Sequence, residues 1–78
     1  MKRVTIQLFS ISDIKQFVNT ANLYDFDIDM TSGRYVIDAK SIMGLFSLDL
    51  NKPIQVEIHS DDYEDFLKSI EPFLVQEA

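Results

Sequence analysis

Three side chains stand where the sequence pattern could give them chemistry: Ser10, Ser41 and His59. Ser10 opens Ser10-Ile11-Ser12-Asp13, just ahead of a helical pattern. A serine three residues before an acid resembles a capping box, here with Asp in place of the usual Glu. A nucleophilic serine needs a base, and none is near in sequence, so the plainer role for Ser10 is an N-cap. Ser41 lies in Lys40-Ser41-Ile42-Met43-Gly44, at the start of a second, shorter helical pattern. Its hydroxyl is either an N-cap or an acceptor for phosphate. A phosphate there would meet free backbone N–H groups and the positive end of the helix. That term is about 0.3–1 kcal/mol at an exposed site and would tighten the helix. His59 is the one histidine, and therefore the one imidazole able to carry a phosphoryl group.

Other clusters have plainer readings. Ile42, Met43 and Phe46 share a helical face beside Lys40. They form either an exposed docking patch, where Met and aromatics are common, or ordinary core. Asp25, Asp27 and Asp29 alternate, but no Gly turn or distal Glu completes a calcium loop. A solvated strand face explains them. No nucleophile–base pair, metal cluster or phosphate loop is visible, so no intrinsic enzyme, cofactor or metal is expected.

The elements that position these residues follow from periodicity. Lys2 to Phe9 alternates, with Val4, Ile6 and Leu8 on one face, which predicts a half-buried strand. Ile14, Phe17, Val18 and Ala21 follow at helical spacing and predict a helix over about residues 11–22. Tyr24 to Met30 alternates again, Thr31 to Arg34 is a turn around Gly33, and Tyr35 to Asp38 returns. A short helix is expected from about Ser41 to Leu48, with Gly44 weakening it by about 1 kcal/mol. Asp49 to Pro53 reads as a loop, and Ile54, Val56 and Ile58 as a fourth strand. Asp61 and Glu64 suggest a second capping box before the stripe Tyr63, Phe66, Leu67, Ile70, Phe73 and Leu74, which Pro72 ends or bends. The order βαββαβα, with strands wet on one face, predicts an α+β open-faced β-sandwich: a four-stranded antiparallel sheet covered by helices on one face.

Composition narrows the function classes. Seventy-eight residues suffice for one domain, spanning 1–78. Cysteine is absent, which removes disulfides and thiol catalysis. No apolar run approaches the ~20 residues of a membrane span, and the N-terminus lacks a secretory pattern. A cytoplasmic location is the expectation, with no membrane partner. The net charge of −6 argues against direct nucleic-acid binding. A monomer is expected, although an edge strand could support pairing.

The run Asp38-Ala39-Lys40-Ser41-Ile42-Met43-Gly44-Leu45-Phe46-Ser47-Leu48 is similar to the regulatory-serine region of the HPr phosphocarriers of the sugar phosphotransferase system. There a K-S-I-M-G-x-x-S-L run opens the short second helix. The element order also fits that family over nearly the whole chain. The resemblance implies the HPr-like open-faced sandwich. In the carriers a G-[IL]-H-A-R-P-A motif precedes the first helix, and its His takes phosphate from phosphoenolpyruvate through enzyme I. Counting back from Lys40-Ser41, the His position falls on Ser10 and the Arg position on Ser12. An imidazole phosphoramidate passes phosphate onward, whereas a serine ester would trap it. Asp49, and Pro53 where carriers often have Gly, are further departures.

The closest family parallel is the catabolite-repression HPr paralogues, which lack the active-site His and keep the regulatory Ser. In them HPr kinase phosphorylates the serine, and the product binds the transcription factor catabolite control protein A. The resemblance therefore implies a regulatory binding protein, with possible phosphorylation at Ser41 and a partner face of Lys40, Ile42, Met43 and Phe46. HPr kinase or a regulator would be its protein partner. Two alternatives stay open: an atypical carrier using His59 or Ser10, and a diverged interaction domain of HPr fold.

Overall fold

Apolar residues at every second position commit the strands, and the computed structural model describes their assembly over residues 1–45 and 52–75. The order is β1 (Lys2–Ile6), α1 (Ile11–Ala21), β2 (Ile28–Ser32), β3 (Tyr35–Asp38), α2 (Ile42–Leu45), β4 (Ile54–Ile58) and α3 (Glu64–Ser69). A 3-10 turn, Glu71–Phe73, follows α3. The strands form one antiparallel sheet in the order β1-β4-β2-β3.

Register sorts the two faces. Val4 pairs with Val56 and Ile6 with Ile54, while Ile58 and Val56 meet Ile28 and Met30. All of these except the partly buried Val4 are fully buried, beneath Ile14, Phe17, Val18 and Ala21 of α1. Phe66 fills the space between α1 and the chain leading to β2. Its ring meets Phe17, Tyr24 and Phe26 edge-on at centroid distances of 6.1, 5.2 and 6.2 Å. Such contacts add about 0.5–1.5 kcal/mol each beyond area burial. The opposite face carries Arg3, Glu57, Asp29 and Asp38 in one row across the strands.

Several boundaries differ from the sequence expectation. Residues 24–27 are not strand; Tyr24 and Phe26 pack as rings, and β2 starts at Ile28 and takes in Thr31 and Ser32. Alternation there reflects burial of alternate aromatics in a loop, so only Asp29 of the three aspartates lies in a strand. The hairpin turn shrinks to Gly33-Arg34. Gly33 has φ 59, and among the described residues no other residue type has positive φ, which fits a type II′ turn with Gly first. The expected box at Asp61 is absent: α3 starts at Glu64 behind Tyr63, which makes no side-chain cap bond. Ser60 Oγ accepts the Asp62 N–H at 3.0 Å instead, holding the chain one step outside the helix. Leu74 leaves the helical stripe altogether and bridges to Ile6.

Candidate functional site

Ser10 is the N-cap of α1. Its extended backbone (φ −145, ψ 168) lets Oγ accept the Asp13 N–H at 3.2 Å. The Asp13 carboxylate reaches back to accept the Phe9 N–H at 3.0 Å. This is a capping box displaced by one residue at its return bond. The carboxylate thus lies beside the cap, on the N–H of the residue that precedes Ser10. Ser12 is exposed.

Ser41 precedes α2 and is exposed. Its carbonyl accepts the Leu45 N–H at 3.2 Å and its Oγ accepts the Gly44 N–H at 3.4 Å. Upstream, Asp38 holds the turn through the Ser41 N–H to its carbonyl and the Lys40 N–H to its carboxylate. Lys40 turns inward: Nζ donates to the Tyr24 carbonyl at 2.7 Å. Asn22, the C-cap of α1, donates through Nδ2 to the carbonyls of Val18 and Lys40 at 2.9 and 3.3 Å. The start of α2 is therefore tied to the end of α1. Asn at a helix end is a recognised C-terminal signal, so this tie had a trace in the sequence that the helical stripe alone did not use.

The faces of α2 separate its residues. Ile42 packs half-buried against the core, Leu45 is buried, and Met43 is 75% exposed. Phe46 lies outside the described residues. Gly44 has a steric reason that its sequence position did not reveal: a Cβ there would overlap the Ile37 Cγ2 methyl. The short helix sits directly on β3 because Gly44 allows close approach.

His59 follows β4 on the face away from the helices. Its Nε2 lies 3.0 Å from Asp29 Oδ2. Pairing of Ile58 with Lys2 and of Ile54 with Ile6 puts His59 and Ser10 at opposite ends of the sheet. Ser10 and Ser41 are also apart, since α1 runs between them for 11 residues, roughly 16 Å. No two of these three residues form one site. An open groove elsewhere is lined by Leu67, Lys68, Glu71 and Leu74, none of them a candidate. Among the described residues, no cluster of metal-ligating side chains occurs and no helix is long and apolar enough to cross a membrane.

The family model PTS-HPr, described as the PTS HPr component phosphorylation site, matches residues 13–76. The chain belongs to the HPr family. Solved HPr structures agree with that membership over nearly the full length. HPr-C-His from Thermoanaerobacter tengcongensis is 29% identical with a TM-score of 0.76, covering 92% of this chain and 89% of that one. The phosphocarrier protein HPr from Bacillus anthracis str. Ames is 28% identical with a TM-score of 0.74, covering 95% and 94%. A search of curated proteins gives no match. The HPr-family model begins at Asp13, downstream of Ser10 and Ser12.

Proposed function

We propose that this HPr-family chain is a regulatory binding protein that does not relay phosphate, with Ser41 as its phosphorylation site. One observation carries the proposal: the residue that starts α1 is Ser10, an N-cap whose Oγ accepts the Asp13 N–H at 3.2 Å, with the Asp13 carboxylate beside it on the Phe9 N–H at 3.0 Å. A transferred phosphoryl group there would meet a like charge, and Ser10 Oγ has no base within its hydrogen-bonding set. The sole histidine, His59, lies on the other face of the sheet, with Nε2 3.0 Å from Asp29 Oδ2. Ser41, by contrast, is exposed beside the exposed Met43, so a kinase can reach the hydroxyl and a partner can read both. Lys40, Ile42 and Phe46 complete the proposed partner face. The partner is an HPr kinase or a regulator that recognises the α2 face, the location is the cytoplasm, and residues 1–78 act as one domain without intrinsic enzymatic activity.

Incubation with HPr kinase and ATP, followed by intact-mass and peptide mapping, tests the Ser41 assignment. One phosphate on Ser41 is expected, and none in Ser41→Ala. Phosphate on another residue, or none on the native chain, would remove Ser41 from the proposal.

A further inference from the structure

Lys40 stands next to the proposed phosphorylation site, yet its charge is turned away from the surface. The residue is half-buried, and Nζ donates to the Tyr24 carbonyl at 2.7 Å. No carboxylate among the described residues pairs with it. A surface lysine ordinarily lays its stem on the protein and keeps its ammonium in water. Here the ammonium is taken up by one backbone carbonyl in the chain that leaves α1.

A second bond reaches the same residue from the same place. Asn22, the C-cap of α1, donates through Nδ2 to the Val18 carbonyl at 2.9 Å and to the Lys40 carbonyl at 3.3 Å. The Lys40 N–H is held too, by the Asp38 carboxylate at 2.9 Å. The N–H, the carbonyl and the ammonium of Lys40 are therefore all engaged. The Ser41 N–H that follows bonds the Asp38 carbonyl at 3.0 Å. Beyond that point the restraint weakens: the Ser41 hydroxyl is exposed and accepts only the Gly44 N–H, at 3.4 Å, among the described residues. α2 itself has four residues, and a helix so short does not hold its own shape in water. The geometry at its start has to be set from outside, and residues 22–24 set it.

We infer that Lys40 and Asn22 are positioning residues for the phosphorylation of Ser41: they tie the turn ahead of α2 to the end of α1 and so present the hydroxyl to the kinase in one geometry. The inference rests on the reading of Ser41 as the phosphorylation site. In that reaction Ser41 Oγ bonds the γ-phosphorus of ATP, the bond from that phosphorus to the oxygen it shares with the β-phosphate breaks to give ADP, and the hydroxyl proton is released. Neither Lys40 nor Asn22 supplies any of these atoms. The tie acts earlier, because a segment that is already ordered loses less freedom on binding than one the kinase must order. Lys40 thus belongs to the proposed partner face through where it holds Ser41.

Steady-state phosphorylation of the full chain by HPr kinase and ATP tests this, comparing the native chain with N22A, K40M and the double variant N22A/K40M at a temperature where circular dichroism shows all of them folded. Each single variant should raise KM for the chain about threefold to tenfold and leave kcat within about twofold, the pattern of lost ordering before the chemical step. The double variant should do little more than the worse single one, since both bonds hold the same residue and groups in one network do not act independently. Amide hydrogen exchange, read without kinase, should quicken at Ser41 and Leu45 in every variant. An unchanged KM, a loss confined to kcat, single effects that multiply in the double variant, or unchanged exchange at Ser41 and Leu45 would each overturn the inference while leaving Ser41 as the phosphorylation site. A native chain that takes no phosphate on Ser41 would remove that reading first, and the inference with it.

Discussion

The Ser10 hydroxyl accepts the Asp13 N–H at 3.2 Å, while the Asp13 carboxylate takes the Phe9 N–H at 3.0 Å. Those bonds make Ser10 a structural residue, and Ser10→Ala should cost about 1 kcal/mol in urea unfolding. Among the described residues the Ser41 hydroxyl bonds only the Gly44 N–H, at the long distance of 3.4 Å, so its cap contributes less. Met43 makes the opposite case. With 75% of its surface exposed, Met43→Glu should change unfolding free energy by less than about 0.5 kcal/mol while altering the proposed partner face. Gly44 separates propensity from packing. Alanine would favour the helix by about 1 kcal/mol, yet its methyl would overlap Ile37. Gly44→Ala should therefore destabilise by about 1–3 kcal/mol, measured by the same unfolding titration.

At the scale of elements, long periodic segments were readable and short or aromatic ones were not. The stripe Ile14, Phe17, Val18, Ala21 is the buried face of α1, and the Ser10-Asp13 cap starts it as its residue types predict. The segment from Tyr24 to Asp27 alternates like a strand, but its aromatics pack on Phe66 from a loop. Alternation records burial and cannot by itself distinguish those backbones. Asp61 failed as a cap because Ser60 and Asp62 form their own turn first. The ring cluster predicts that Phe66→Ala lowers stability by about 3–5 kcal/mol, since Phe66 is fully buried and joins three rings.

For the whole molecule, the element order and the covered face of the sheet were legible in residue periodicity, and the Lys40-Ser41-Ile42-Met43-Gly44 run carried the family. The closure of β1 by residues 73–75 was not, because a bridge of 68 positions' separation (Ile6 to Leu74) leaves no local pattern. Nor was the hydrogen bond from the Lys40 ammonium to the Tyr24 carbonyl, a contact set by the fold. Phe73 anchors that closure, 7% exposed and edge-on to Phe17 at 6.2 Å. Phe73→Ala should cost about 3 kcal/mol and speed hydrogen exchange at the Gln7 and Val75 amides, which bond across it. The central claim concerns phosphate relay, and incubation of the native chain with enzyme I and phosphoenolpyruvate, read by intact mass under conditions that preserve phosphoramidates, tests it most directly. The account predicts an unmodified chain. An acid-labile phosphate, on His59 or elsewhere, would contradict it and make this protein a carrier.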